Sequence, residues 1–158
     1  MKIKTRDEFT DFEQLASQCY QLCQTSFLTA SPWSVAQFLT DFQGNVTRYY
    51  FVVNETDELM GFVNGQLLYD EFEIFLLVVK DSMKRQGIAT LLLDYLMVAP
   101  DLRQLSTFLL EVRESNSDAQ NFYKQQGFTL YHRRKHYYQQ PVEDALLLRK
   151  EVGIEANE

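Results

Sequence analysis

The stretch Ile74-Phe75-Leu76-Leu77-Val78-Val79-Lys80-Asp81-Ser82-Met83-Lys84-Arg85-Gln86-Gly87-Ile88-Ala89-Thr90-Leu91-Leu92-Leu93 decides how the chain is read. The apolar run from Ile74 to Val79 reads as a strand and ends in a short polar, basic loop. Ile88, Leu91, Leu92, Tyr95 and Leu96 then recur at i, i+3, i+4, i+7 and i+8, one face of an amphipathic helix. A strand, a tight glycine turn and a helix N-terminus together form an anion site. The first N–H groups of a helix have no partner within it, and the helix dipole is positive there. Gly87 and Ala89 carry almost no side chain, so a phosphate can approach the backbone, and Lys84 and Arg85 add positive charge. The spacing has neither the G-x-x-x-x-G-K-[ST] of a nucleoside triphosphate loop nor the three glycines of a dinucleotide fingerprint. Taken alone, the stretch is equally a strand–loop–helix with a capping glycine and two exposed basic residues.

Working outward, the 158 residues suit one domain over 1–152, with 153–158 as a frayed tail. A 46% hydrophobic and 14% aromatic content argues for a packed core and against disorder. No apolar run reaches the length of a membrane span, and the charged start Met1-Lys2-Ile3-Lys4-Thr5-Arg6 has no apolar segment behind it. A cytosolic protein with no membrane partner is expected. The net charge of −7 argues against a nucleic-acid surface and is compatible with a cationic substrate, or simply with solubility. Cys19 and Cys23, four apart on a predicted helix, read as core thiols rather than a disulfide or zinc site.

Punctuation and periodicity predict the elements in order. Residues 2–5 form a short strand, 7–25 a helix, and Pro32 breaks the pattern before Ser34 caps a second helix that Gly44 ends. Strands follow over 48–54, 59–69 and 71–79, with Gly61 and Gly65 marking a bulge or a close packing site. The third helix stops before Pro100, a strand spans 105–113, Ser115-Asn116-Ser117 caps a fourth helix that Gly127 ends, and Ser117-x-x-Gln120 fits a capping box. Residues 128–138 and 142–152 pair as a last hairpin. The order β-α-α-β-β-β-α-β-α-β-β makes an α/β chain with a mixed α+β sheet and helices on both faces, with a parallel crossover between 71 and 113. His132 and His136 bracket Arg133-Arg134-Lys135 with no carboxylate inside the run, so no metal site is expected, and the run reads as a solvated hairpin tip.

Two further residues stand out. Glu111 interrupts the apolar strand Phe108-Leu109-Leu110-Glu111-Val112, where a carboxylate is costly unless it is paired, for instance with Arg113, or used. Tyr123 falls on the inner face of the fourth helix, as core or as a functional hydroxyl. Trp33, the single tryptophan, is a core plug or the wall of a ligand groove.

The unit Arg85-Gln86-Gly87-Ile88-Ala89 at a helix start resembles the acetyl-CoA pyrophosphate loop of the GNAT superfamily of N-acetyltransferases. Asn116…Ala119…Asn121-Phe122-Tyr123…Gly127-Phe128 resembles their next motif. Ser31-Pro32-Trp33-Ser34, Leu110-Glu111-Val112-Arg113, Arg133-Arg134…Tyr137-Tyr138 and Glu143-Asp144-Ala145-Leu146-Leu147 are similar to the bacterial ribosomal-protein alanine N-acetyltransferases. The resemblance implies that the backbone of Leu77, Val78 and Val79 pairs with the pantetheine arm of acetyl-CoA. It also implies that the amides of Lys84, Arg85, Gln86, Gly87, Ile88, Ala89 and Thr90 surround its pyrophosphate, with Asn116 touching the cofactor. By the same resemblance Glu111 is the base and Tyr123 the acid, and Trp33, Tyr137 and Tyr138 face a protein N-terminus or a small amine. The chain departs from the family's usual residues at Lys84, Ala89 and Leu76. A lysine side chain, a small amine, or a non-catalytic acyl-CoA sensor remain the alternatives.

Overall fold

Strand periodicity and glycine punctuation produce the expected order of elements. They are β1 (Lys2–Thr5), α1 (Phe12–Ser26), α2 (Val35–Gln43), β2 (Thr47–Val53), β3 (Leu59–Leu68), β4 (Glu71–Val79), α3 (Ile88–Val98), β5 (Thr107–Arg113), α4 (Ser117–Gln125), β6 (Thr129–Gln139) and β7 (Val142–Glu151). The structure, a computed structural model, describes residues 1–26, 33–102, 104–139 and 141–152. Pro32, expected to break the helical pattern, and the expected frayed tail lie outside the described residues. The seven strands form one sheet in the order β1-β2-β3-β4-β5-β7-β6, antiparallel except where β4 meets β5.

Alternation along the strands builds a core on each face of this sheet. Tyr50 and Val52 of β2 and Phe108, Leu110 and Val112 of β5 join Ile88, Leu92 and Leu96 of α3 and Tyr123 of α4. Tyr49, Phe51 and Val53 of β2 turn the other way, onto Leu15, Cys19 and Cys23 of α1 and Phe38 and Phe42 of α2. Both cysteines are buried free thiols. On α3 the buried face is Ile88, Leu92, Leu93 and Leu96, so the stripe lies to one side of the predicted one, and Leu91 is exposed.

Local capping chemistry sets the starts of α1 and α4. Arg6–Glu8 form a short 3-10 turn rather than the start of α1, because Glu8 closes a capping box with Thr5. Asp11, accepting from the Gln14 N–H at 3.0 Å, then starts α1. At α4 the cap within the expected Ser115-Asn116-Ser117 is Asn116, whose Oδ1 accepts from the Ala119 N–H at 3.1 Å, so Ser117 and Gln120 form no capping box. Gln120 instead donates to the carbonyls of Arg113 and Glu114. Ser34 and Gly127 behave as predicted, Ser34 accepting from Gln37 and Gly127 standing at φ +95° after α4.

The feature that shapes the site is a bulge in β4. Asn64 pairs with Leu76 and Gly65 with Ile74, which leaves Phe75 as the extra residue. Phe72 and Ile74 therefore pack toward α3, while Leu76 and Val78 pack toward α1 and α2. Asn64, fully buried, fills the irregularity by accepting from the Leu76 N–H at 2.9 Å. Its amide nitrogen has no hydrogen-bond partner among the described residues. Gly65 is required by close approach: a Cβ there would collide with the Glu73 carbonyl and stand 2.6 Å from the Phe72 ring. Gly65→Ala is expected to destabilise the fold by about 1–3 kcal/mol, the usual cost of overpacking, read as a lowered midpoint in a urea melt. An unchanged midpoint would mean that the bulge relaxes freely.

Candidate active site

Past the bulge, β4 and β5 part. They pair in parallel at only three positions, Glu71 with Thr107, Phe72 with Phe108 and Glu73 with Leu109, while β5 stays paired with β7 along its whole length. Lys80 N–H donates to Met60 and Leu76 N–H to Asn64, so the even-numbered residues here turn their backbone groups toward β3. By strand alternation Leu77 and Val79 turn theirs into the gap that β5 has vacated. Of the three residues expected to offer backbone there, Val78 instead faces β3. The Val79 carbonyl accepts from Ser26 Oγ at 2.8 Å.

The gap opens beside the loop read first from the sequence. Arg85 at φ +66° and Gly87 at φ +83° are both left-handed, which turns successive N–H groups the same way. The first backbone bond of α3 runs from the Leu91 N–H to the Gly87 carbonyl at 2.9 Å. The amides of Arg85, Gln86, Gly87, Ile88, Ala89 and Thr90 have no acceptor among the described residues. This cradle suits a group with several anionic oxygens and fits a pyrophosphate. Lys84 is drawn away by an ion pair with Asp81 at 3.3 Å.

Glu111 and Tyr123 lie on opposite faces of the sheet. Tyr123 packs among Phe122 and Phe128, with ring centroids at 5.3 and 5.4 Å. Its hydroxyl has no hydrogen-bond partner among the described residues, and burial pushes its pKa up. Leu110 and Val112 face the α3 side, so by strand alternation Glu111 projects from the other face of the sheet, the one that carries α1 and α2. Burial raises its pKa; the Arg134 charge opposes that, Glu73 adds to it, and the Tyr137 hydroxyl opposes it.

The ion-pair partner of Glu111 is Arg134, at 3.6 Å, and not Arg113. Arg113 is held by Glu143 at 3.1 Å and lies over the Tyr138 ring at 4.1 Å. Glu143 also accepts from Ser115 N–H, so this clamp fixes the turn that presents Asn116. His132–His136, read as a hairpin tip, lies within β6. The register slips between Arg134 and Tyr138, with His136 at φ +52° and its N–H on Asp144 at 2.9 Å. That bulge brings Tyr137 and Tyr138 to Glu111, which pushes the Tyr138 hydroxyl, already raised by burial, up to about 12. Trp33 stands against Phe38 at 5.2 Å and the bulged Phe75 at 6.4 Å, both a core contact and a wall on the Glu111 side of the sheet. Arg134, Glu73 and Asn64 are site residues that sequence reading misses. A carboxylate at Glu73, two before the bulge on an exposed face, carries no local signal of its own.

Known proteins match this geometry. The family model described as the acetyltransferase (GNAT) family matches residues 9–128. A [ribosomal protein bS18]-alanine N-acetyltransferase from Haemophilus ducreyi is 33% identical over 132 residues, covering 84% of this chain and 88% of that relative. Its counterpart from Escherichia coli is 33% identical over 128 residues, covering 79% and 84%. The crystal structure of the Escherichia coli ribosomal-protein-S18-alanine N-acetyltransferase superposes with a TM-score of 0.79 at 25% identity and covers 99% of each chain. An aminoglycoside 6'-N-acetyltransferase complexed with coenzyme A, at 18% identity and a TM-score of 0.80 over 99% of this chain and 100% of its own, shares the fold. The gap between β4 and β5, the open amides before α3 and these matches have one explanation: the chain belongs to the GNAT family of acetyltransferases.

Proposed function

We propose that this protein transfers the acetyl group of acetyl-CoA to the N-terminal alanine amine of a ribosomal protein. The relatives named for that reaction support the acceptor, and the half-buried Glu111 at the β4/β5 gap carries the chemistry. The six open amides from Arg85 to Thr90 hold the pyrophosphate, and the backbone of Leu77 and Val79 lines the pantetheine arm. Asn116 stands at the start of α4, its oxygen used as the cap and its amide left to donate to the cofactor.

An α-amine has a pKa near ~8 and must shed a proton before it attacks a thioester carbonyl. Glu111 takes that proton. Burial raises its pKa and so brings it nearer to that of the amine. The Val79 N–H, turned into the gap, donates to the oxygen that gains negative charge as the C–N bond forms. As the C–S bond breaks, Tyr123 gives its proton to the sulfur. Trp33, Tyr137 and Tyr138 border the acceptor's approach from the opposite face.

The test is CoA release against three acceptors: a peptide beginning with alanine, a lysine peptide with a blocked N-terminus, and a polyamine. The alanine peptide is expected to be the preferred acceptor. A faster rate on the lysine peptide or the polyamine would replace the proposed acceptor. Silence on all three with tight acetyl-CoA binding would make the protein a sensor. Tyr123→Phe is expected to lower turnover by about 10²-fold or more with acetyl-CoA affinity kept; a normal rate would return Tyr123 to the core.

A further inference from the structure

The proposed reaction brings a cation, the acceptor's ammonium, to Glu111, and a cation is already there. Three arginines border this part of the sheet, and they are held very differently. Arg133 donates to Glu114 at 2.6 Å and to Asp144 at 2.9 Å. Arg113 donates to Glu143 at 3.1 Å under the Tyr138 ring. Arg134 meets Glu111 only at 3.6 Å, with its guanidinium 5.2 Å over the Tyr137 ring and a side chain 48% exposed. It is the loosely held one of the three, and it sits on the residue that must be free to accept a proton.

We propose that Arg134 occupies the acceptor's ammonium seat in the free protein and is displaced from Glu111 by the arriving amine. This inference rests on the acetyl-transfer reading. Arg134 is then a positioning residue. It keeps Glu111 ionised and in place between turnovers, and leaves when the substrate brings its own charge.

The chemistry separates the two cations. A guanidinium does not give up its proton in a protein, so the Arg134–Glu111 pair is inert. An α-ammonium in the same seat has a pKa that lets Glu111 draw the proton off. The exchange is cheap, because a pair this long, with its guanidinium half open to solvent, holds only weakly. The seat suits a cation from every side. Glu111 supplies one carboxylate from β5, and Glu73 on β4, without an ion-pair partner among the described residues, supplies another. Tyr137 supplies a ring face from β6, with Tyr138 beside it. On β7, Arg149 lies over the Tyr131 ring at 5.3 Å and Glu143 is taken by Arg113, so neither fills the seat. Beyond the seat one more carboxylate, Glu71, lies on this part of the sheet, where Tyr131 feels Arg134, Glu71 and Glu73 together.

The test measures binding of an alanine-starting peptide to the whole protein by calorimetry, with the same peptide N-acetylated as the control. Glu111 is followed in parallel by its side-chain carboxyl carbon resonance, assigned with Glu111→Gln. Arg134→Ala is expected to tighten the free-amine peptide about two- to fivefold, the loss of one exposed competing pair, and to move the Glu111 titration midpoint up. Arg134→Lys is expected to restore wild-type values for both. Glu73→Gln is expected to weaken the peptide and move the midpoint down. Weaker or unchanged binding in Arg134→Ala would overturn the proposal, as would equal binding of the acetylated peptide. Arg134 is half-exposed on a strand surface, so these variants are expected to fold. If the wild type binds the peptide in this pattern and never acetylates it, the acetyl-transfer reading fails while the displacement stands.

Discussion

Glu111→Gln is expected to bind acetyl-CoA as the wild type does and to lose about 10²–10⁴-fold in turnover, the usual weight of a general base. The side chain keeps its shape and its place opposite Leu147 on β7, and loses only the ability to take a proton. The melt separates this loss from misfolding. The folded-state pKa of Glu111 is raised, so its protonated form is the one that folding favours. Stability from this group therefore grows as pH falls through the folded pKa, and at neutral pH the ionised carboxylate costs stability. Gln removes that cost along with the loose Arg134 pair, so the melting temperature at pH 7 is expected to be unchanged or slightly higher. Calorimetry for acetyl-CoA, stopped-time CoA release and a thermal melt on one preparation decide it. Turnover within a factor of three of the wild type would remove Glu111 from the mechanism. A lost melt transition would show the carboxylate to be structural.

The same shift sets a pH dependence. The base works only when ionised, so turnover at saturating acceptor is expected to fall as pH drops through a value above 4.5, the ordinary value for a glutamate. In Glu111→Gln that acid limb should vanish from whatever residual rate remains. A limb that persists unchanged belongs to another group.

Much of this site was legible from residue pattern, and what was hidden had a physical reason. The glycine turn at Gly87 and the helix behind it were readable because backbone conformation and apolar period leave local marks. Glu111 was visible as a charge in an apolar run. Its partner was not: Arg134 is 23 positions on, brought back by the β6–β7 hairpin and by a bulge that nothing in His132–His136 announces. Arg113 was the near neighbour in sequence, and the Glu143–Ser115 clamp claims it first. The bulge beside β4 was half visible: Gly65, expected to mark a bulge or a close packing site, stands at it, but the extra residue, Phe75, is on the neighbouring strand. The run Ile74 to Val79 is apolar throughout, so its change of face leaves no polar signature. The side chain that fills the bulge, Asn64, sits on the neighbouring strand. Ser117-x-x-Gln120 matched a capping box in letters, yet Asn116 one residue earlier is the better cap and wins the Ala119 amide.

Gly87→Glu is expected to cost acetyl-CoA affinity about 10²-fold or more while the protein still folds. A Cβ at this position meets nothing within 4 Å, so no packing clash unfolds the chain. The cost to the fold is conformational: φ +83° disfavours any L side chain by about 1–2 kcal/mol. Gly87→Ala carries that cost alone and serves as the control, with a melting temperature lowered by several degrees and affinity reduced only as far as the loop shifts. The glutamate adds a carboxylate within the row of open amides from Arg85 to Thr90. It repels an anionic ligand and offers those amides an acceptor of their own. Each charge-assisted bond lost from amide to phosphate is worth about 1.5–3 kcal/mol, so losing one or two accounts for the expected factor. Raising the salt concentration should recover part of the glutamate variant's affinity relative to the alanine control, because screening relieves repulsion but not backbone strain. If both variants bind acetyl-CoA as the wild type does, the cradle before α3 is not where the pyrophosphate sits.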